Sequence, residues 1–170
     1  ITLKTIKKLT NKAIEAGADF ITLPECSTSL QENSVFTKSL AKPENKNISL
    51  RYLKEIAKSK SIYILIGSLP IKLLNKLVNR SFLIGPNGKI LYKYDKIHLY
   101  DVNLPNGDIF KESDTYSGGK TAVIAKIKNN NIRIGMTICY DLRFPGLYQD
   151  LALNGAEIIV VPSAFSNITG

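Results

Sequence analysis

The chain has 170 residues, 44% of them hydrophobic, which is enough to bury the core of one globular domain. No run of about 18 apolar residues occurs, and the first residues lack the basic, apolar and small-residue succession of a signal peptide, so we expect no membrane partner. Two cysteines do not make a disulfide framework, and we expect a soluble, cytoplasmic protein with free thiols.

The net charge of +9 raises the hypothesis of a nucleic-acid partner, because clustered Lys and Arg neutralise phosphates. The lysines are instead scattered over the predicted helices and hairpins, arginine is sparse, and no block combines basic with aromatic residues. A lysine-rich solvated surface explains the charge better, so we expect no nucleic-acid partner.

The first half of the chain alternates helical and extended patterns, which predicts an α/β fold. Apolar residues at helical spacing predict a helix over residues 2–15, and a short buried strand follows at 19–23. A second helix at 47–59 and an apolar strand at 61–69 form another helix-to-strand unit. Within residues 77–99, the turn signal "GPNG" joins two strands as a hairpin.

The second half begins with a polar segment, residues 100–119, which we predict to be a long functional loop. Strands at 121–128 and 131–138 follow, joined by a turn at "NNN". A helix over about 145–154 and a strand at 157–161 complete the pattern.

Two segments of the chain are similar to each other, "AGADFITLPE" (16–25) and "NGAEIIVVPS" (154–163). Each has a Gly-Ala-acid turn, an apolar strand and a terminating proline, and each brings a polar residue, Glu25 or Ser163, to the carboxyl end of a strand. In α/β sheets this end is where ligands bind. Two explanations are open, an internal repeat and the common pattern of helix-to-strand turns.

Cys139 follows the alternating strand and precedes "YDLRFP", a place where a thiol serves either for chemistry or as a small buried residue. A free cysteine has a pKa of about 8.5, so a nucleophilic role requires a group that takes its proton or stabilises its charge. The single histidine, His98, is one candidate partner. A carboxylate is the other, although proton transfer from cysteine to glutamate is uphill by roughly 5–6 kcal/mol in water.

A desolvated carboxylate combined with a nearby ammonium closes that gap, because desolvation raises the carboxylate's proton affinity and the ammonium stabilises the thiolate. Charged side chains at element ends supply candidates: Glu25 after a strand, Lys96 in "KYDKIHLYD" and Glu112 in the long loop. Taken singly, each is explained equally well as a solvated surface charge. A site built on Cys139 therefore needs Glu and Lys side chains beside it.

Five motifs, in one order along the chain, resemble those of a known family. They are "LPECS" (23–27), "KYDKIHLYD" (93–101), "FKES" (110–113), "GMTICYDLRFP" (135–145) and "VPSAFSNITG" (161–170). Together they resemble the nitrilase superfamily of carbon–nitrogen hydrolases, and the similarity extends over essentially the whole chain. The resemblance implies an α-β-β-α sandwich and a reaction that needs no metal or organic cofactor.

The resemblance also implies a role for each candidate residue. Glu25 is then the general base, Lys96 the cation beside the developing oxyanion, and Cys139 the nucleophile. Glu112 supports the lysine and helps to position substrate, and His98 is a structural neighbour. The implied reaction is hydrolysis of a small amide through a thioester, with release of ammonia or an amine.

Within the superfamily, "CYDLRFP" and "PSAFSNITG" are most similar to the branch of omega-amidase and deaminated glutathione amidase, whose substrates are acidic. The resemblance implies that Arg143 holds a substrate carboxylate with two hydrogen bonds. It further implies that the Tyr140 N–H stabilises the oxyanion and that Phe165 and Thr169 complete the pocket.

Two residues near these motifs have structural interpretations. Arg143 is equally suited to a salt bridge with Asp141 or Asp150, which lie close in the sequence. Cys26, next to Glu25, is interpreted as a packing residue.

The chain departs from the family pattern at both ends. Family members usually start with a strand ahead of the first helix and continue beyond the "ITG" with a helix and more strands. We therefore expect residues 1–170 to form a single carbon–nitrogen hydrolase domain that lacks these parts, with a homodimer expected only at full length. The alternative to an active amidase is an inactive fragment, or a partner-binding remnant, of the same fold.

Overall fold

A computed structural model describes residues 3–28, 34–74, 76–127 and 131–165. The described helices are α1 (Leu3–Glu15), α2 (Ser34–Leu40), α3 (Ile48–Lys60) and α4 (Pro145–Leu153). The described strands are β1 (Phe20–Thr22), β2 (Tyr63–Leu73), β3 (Lys76–Ile84), β4 (Ile90–Asp95), β5 (Asp101–Asn103), β6 (Ile109–Lys111), β7 (Val123–Ile127), β8 (Ile132–Met136) and β9 (Ile158–Val160).

The strands form two main sheets. The first has the order β1-β2-β3-β4, with β1 parallel to β2 and the other pairs antiparallel. The second has the order β7-β8-β9, with β9 parallel to β8. The carboxyl ends of β1 and β9 therefore each lie beside a parallel neighbour, where polar side chains that follow them can meet.

The central strands are apolar on both faces because each sheet is covered on two sides. In β2, Ile64 and Ile66 pack with helices α1 and α3, whereas Leu65, between them, packs against the second sheet. This explains why the sequence here is a continuous apolar run rather than an alternation of apolar and polar residues.

Helix α4 covers the outer face of the second sheet. Thr137, which follows β8, forms a hydrogen bond of 3.2 Å with the Tyr148 hydroxyl of α4. A Cβ on Gly135 would lie 3.1 Å from Leu151 of the same helix, so the glycine allows close packing. The layers are thus helices, sheet, sheet and helix, which confirms the predicted α-β-β-α sandwich.

Local sequence signals account for most element boundaries. Asn47 caps α3 by accepting a hydrogen bond of 3.0 Å from the Leu50 N–H. Gly88 ends the β3–β4 turn with a φ of +73°, a conformation that glycine adopts without strain. The predicted helices and strands are confirmed, although β2 extends to Leu73, four residues beyond the predicted strand.

Two parts of the prediction were wrong. Helix α2 was not predicted at all, and the supposed loop at 100–119 contains the β5–β6 hairpin and a helical turn at Glu112–Asp114. β5 consists of the polar pattern Asp-Val-Asn and β6 is exposed along its length, so neither lies in an apolar segment ended by a proline, the pattern that identified the equally short β1 and β9.

The two similar segments have the same local structure. Gly17 and Gly155 take φ values of +86° and +88°, and each precedes a strand at the edge of its sheet. Among the described residues, no helix combines the length and the apolar character needed to cross a membrane.

Candidate active site

Four predicted site residues lie just beyond the ends of strands. Glu25 follows β1, Lys96 follows β4 directly, Glu112 follows β6 directly, and Cys139 lies three residues after β8. The structure brings these four side chains together: the Lys96 ammonium lies between the carboxylates of Glu25 and Glu112, and the charges of Glu25 and Lys96 act on the Cys139 thiol. Their catalytic roles remain predictions.

Lys96 is the centre of the cluster. Its Nζ lies 3.2 Å from Glu25 Oε1 and 2.8 Å from Glu112 Oε2, and its side chain is 2% exposed. Burial by itself would lower the pKa of Lys96, but the negative charges of Glu25 and Glu112 outweigh it and raise the pKa. The lysine is therefore a permanent cation in a site with little access to water.

Glu112 is held by backbone as well as side-chain donors. The Tyr100 N–H donates to its Oε2 over 2.7 Å, and the Asn79 amide nitrogen donates to its Oε1 over 3.3 Å. Both oxygens of the carboxylate are therefore committed to groups of the first sheet and the β5–β6 hairpin.

Glu25 has different partners on its two oxygens. Oε1 accepts from Lys96 and, over 3.0 Å, from the Asn79 amide, whereas Oε2 accepts from the Ala164 N–H over 3.1 Å. The negative charge of the carboxylate also acts on the Cys139 thiol and, after burial, is a cause of its raised pKa. Since Ala164 follows β9, the parallel ends of β1 and β9 meet at this carboxylate.

Cys139 occupies a strained backbone position. Its φ of +47° lies in the left-handed region, which few residues other than glycine adopt, and its N–H donates to Pro162 O over 2.9 Å. Burial, followed by the negative charge of Glu25, raises the pKa of the Cys139 thiol to about 11, against smaller opposing effects of the Ala164 N–H and Lys96. In the resting site the thiol is therefore neutral.

Asp141 anchors the turn that carries the nucleophile candidate. This fully buried carboxylate accepts from the Ile138 N–H (2.9 Å), the Tyr94 hydroxyl (2.7 Å) and the His98 N–H (3.0 Å). His98 Nδ1 lies 2.8 Å from the same carboxylate, and the ring stacks on Phe144. His98 thus joins the lysine segment to the cysteine turn, which supports the structural interpretation over a Cys-His pair.

The predicted substrate-binding residues are less well defined. Tyr140 packs edge-on against the rings of Tyr100 and Phe144, with centroids 5.0 and 5.5 Å apart. Arg143 is exposed, and no ion pair described here joins it to Asp141 or Asp150. Phe165 is 56% exposed, and Thr169 lies outside the described residues.

Cys26 also lies close to the carboxylates. Its N–H donates to Ser68 Oγ over 2.9 Å. Burial, together with the charges of Glu25 and Glu112, raises the pKa of the Cys26 thiol to about 12. A neutral, half-buried thiol agrees with the packing interpretation.

The sequence analysis missed Asn79, Ala164 and the anchoring role of Asp141. Asn79 carried a detectable signal, because an amide in the middle of an apolar strand needs a hydrogen-bonding partner when it is buried. The contact of Ala164 with Glu25 joins residues 139 positions apart and has no signal in a single sequence.

The structure also has a surface cavity away from this cluster. A surface cavity of about 610 Å³ lies between α3 and the β3–β4 turn, next to Lys54, Lys58 and Asn87, and includes none of the predicted site residues. Among the described residues, no group of three or more His, Cys, Asp or Glu side chains could hold a metal ion.

The sequence of the chain was compared with models of known protein families, and one family matches almost its whole length. The family described as carbon-nitrogen hydrolase matches residues 2–169. The chain belongs to this family. This confirms the resemblance to carbon–nitrogen hydrolases that the five motifs indicated.

Relatives of this family member include two kinds of amidase. Omega-amidase NIT2 of Homo sapiens is 38% identical over 159 residues, which is 94% of this chain and 56% of the relative. Deaminated glutathione amidase of Yersinia enterocolitica is 36% identical over 165 residues, again 94% of this chain and 56% of the relative. The chain thus spans little more than half the length of these curated relatives.

The fold is also similar to that of a solved structure from the nitrilase superfamily. The crystal structure of Saccharomyces cerevisiae Nit3, described as a member of branch 10 of the nitrilase superfamily, superposes with a TM-score of 0.83 at 26% identity. The superposition covers 98% of this family member and 59% of Nit3.

Proposed function

We propose that this family member is an amidase that uses Cys139 to hydrolyse the C–N bond of a small amide bearing a carboxylate. The observation that carries the proposal is the convergence of the Cys139 thiol, the Glu25 carboxylate and the Lys96 ammonium in one buried cluster. The amidase relatives support the reaction class.

The first half of the proposed reaction forms a thioester. Glu25 takes the Cys139 proton as the sulfur attacks the amide carbonyl carbon, and this transfer removes the negative charge that opposed the thiolate. Lys96 and the Tyr140 N–H stabilise the oxyanion, and loss of one such donor typically costs about 10²–10³ in rate. When the tetrahedral intermediate collapses, the C–N bond breaks and the amine leaves with the proton from Glu25.

The second half regenerates the thiol. Glu25 accepts a proton from water as the water oxygen attacks the thioester carbonyl, and the same oxyanion donors act again. The C–S bond then breaks, the acid product leaves, and the proton returns to Cys139. Each proton removed is returned, so the cycle needs no external acid or base.

A carboxylate-bearing substrate is favoured by Arg143. Its guanidinium is exposed, four residues past Cys139, and no described hydrogen bond or ion pair occupies it. A guanidinium binds a carboxylate with two parallel hydrogen bonds. Both named relatives, an omega-amidase and a deaminated glutathione amidase, support an amide substrate.

The experiment is to incubate the chain with a 2-oxo-acid amide, measure ammonia release and search for an acyl adduct by mass spectrometry. We expect the adduct on Cys139, and Cys139→Ala should abolish turnover without altering the fold. Cys26→Ala is the matched control and should retain activity. An adduct on Cys26, or undiminished turnover of Cys139→Ala, would refute the mechanism. A folded chain with neither adduct nor turnover would favour the inactive-fragment hypothesis.

A further inference from the structure

Asn79 is a buried side chain of β3 to which the mechanism above gives no role. It is 2% exposed, and it is two positions from Ser81 and four from Leu83 on the face directed toward the second sheet. Its Nδ2 donates to Glu25 Oε1 over 3.0 Å and to Glu112 Oε1 over 3.3 Å. One amide group therefore bridges the two carboxylates of the cluster.

The orientation of this amide is dictated by its partners. Ionised carboxylate oxygens only accept hydrogen bonds, so the NH₂ group must face them. This leaves Asn79 Oδ1 buried without a hydrogen-bond partner among the residues that the structure describes. A buried unpaired carbonyl costs free energy that an apolar side chain of the same size would avoid. The two N–H donors offset this cost, because each donates to a carboxylate.

The effect of the donors is clearest at Glu25. Its Oε1 accepts from both Asn79 and Lys96, whereas Oε2 accepts from the Ala164 N–H, which also interacts with the Cys139 thiol. Rotation of the carboxylate would break these bonds. Both oxygens of the Glu25 carboxylate are therefore held in fixed positions.

An asparagine suits this task better than a second cation. The amide is neutral and planar, sits on a short stem, and adds donors without changing the charge of the cluster. Its backbone is fixed as well, because the Asn79 carbonyl accepts from the Lys96 N–H over 2.9 Å. The ammonium, on a flexible four-carbon stem, supplies charge but little directional control.

We propose that Asn79 is a positioning residue that locks Glu25 and Glu112 in one orientation, so that the Glu25 carboxylate is in place to receive the Cys139 proton. The proposal rests on the proposed amidase function. It concerns the geometry of the general base and not contact with substrate.

The test compares Asn79→Leu, which keeps the size and removes both donors, with Ser81→Ala as a matched control. Ser81 is a buried polar residue on the same strand face whose hydroxyl donates to Ile66 O and touches neither carboxylate. In a chain that hydrolyses the amide, Asn79→Leu should lower kcat by about 10²-fold with little change in KM, because small misplacements of a catalytic group cost this much. Ser81→Ala should leave kcat within a few-fold of the parent.

A second measurement does not depend on turnover. In a Cys26→Ala background, the rate of Cys139 modification by methyl methanethiosulfonate is followed against pH. The groups that act on this thiol are Glu25, Lys96 and the Ala164 N–H, and it acts in turn on Tyr148 of α4. Asn79→Leu should move the midpoint downward, because the Glu25 charge is no longer held against the sulfur. Ser81→Ala should not move it.

The outcomes separate the two proposals. Suppose that the parent hydrolyses the amide. If Asn79→Leu then has the same kcat as the parent, or if Ser81→Ala loses as much activity as Asn79→Leu, the role of Asn79 is overturned and the amidase function stands. A parent that forms no product refutes the amidase. The pH midpoints of thiol modification then decide on Asn79, and an unchanged midpoint overturns its role. If Asn79→Leu does not fold, Asn79→Ser replaces it, since a hydroxyl is too short to bridge both carboxylates and should give the same losses.

Discussion

Glu25 has opposite effects on the Cys139 thiolate before and during the proposed reaction: its charge disfavours the thiolate at rest, and its acceptance of the proton allows the thiolate to form. In the resting site, burial and the Glu25 charge keep the thiol protonated, with a pKa of about 11. Once the proton moves to Glu25, that repulsion disappears and the Lys96 charge stabilises the sulfur anion. The thiolate is therefore expected only while a substrate is being attacked, which protects the cysteine from unspecific modification.

This reciprocity predicts a divergence between thiol reactivity and turnover in Glu25→Gln. Removing the negative charge should lower the pKa of Cys139 below about 11, so methyl methanethiosulfonate should react faster at pH 8. Amide hydrolysis should nevertheless fall by about 10²–10⁴-fold, because the general base is lost. Glu55→Gln, on the exposed side of α3, is the control and should change neither rate. An unchanged rate of modification by methyl methanethiosulfonate would show that the Glu25 charge does not raise the pKa of Cys139.

At the scale of the elements, the close approach of β1 and β2 sets the position of Glu25. The register between β2 and β3 shifts between Ile66 and Leu69, and Gly67 lies in this irregular segment. A Cβ on Gly67 would lie 2.1 Å from Leu23 O and 2.4 Å from Pro24 O, both backbone atoms. The residues immediately before Glu25 thus pack directly on this glycine.

We expect Gly67→Ala to destabilise the chain by more than about 1–3 kcal/mol, the usual range for overpacking, because backbone has to move. The displaced Glu25 should also reduce turnover. Gly146→Ala is the control, since no atom lies within 4 Å of a Cβ at this position at the start of α4, and its stability should change by no more than about 1 kcal/mol. Urea unfolding measures both variants, and equal midpoints would show that the β1–β2 contact tolerates a side chain.

At the scale of the whole molecule, several buried groups hold their protons more tightly in the folded state. Burial is the first cause of the raised pKa values of Cys139 (about 11), Cys26 (about 12) and Tyr116. The pKa of Lys96 is also raised, there by its two carboxylates against the effect of burial. These effects have the same sign for stability, because each group binds its proton more weakly when the chain unfolds.

This predicts a loss of stability at alkaline pH. The contribution of each raised group is complete below its unfolded pKa, which is 9.0 for the thiols, and is lost as the pH rises through the folded value. The free energy of unfolding should therefore be level from pH 7.5 to 8.5 and fall from about pH 9 upward. Urea titrations at these pH values measure it, with Cys26→Ala expected to show a shallower fall. Constant or rising stability between pH 9 and 10.5 would contradict the raised pKa values.

Sequence alone determined the helices and strands whose periodicity extends over five or more residues, and it determined the family through motifs at strand ends. Glu25, Lys96 and Cys139 were selected in this way, because residue type and position after a strand are local properties, whereas Glu112 was selected as a charged residue of the predicted loop. β5 and β6 were missed because they lie in a polar segment, whereas β1 and β9, which are equally short, lie in apolar segments that end at a proline.

Only the tertiary structure decided which side chains serve which partner. In the folded chain, the His98 ring contacts Asp141 rather than Cys139, the Asn79 amide lies between two glutamates, and the Ala164 N–H donates to Glu25. It also decided that the thiol is neutral at rest. Hydrogen bonding, burial and Coulomb interaction depend on distances between residues far apart in the chain, and these distances exist only after the two sheets have packed.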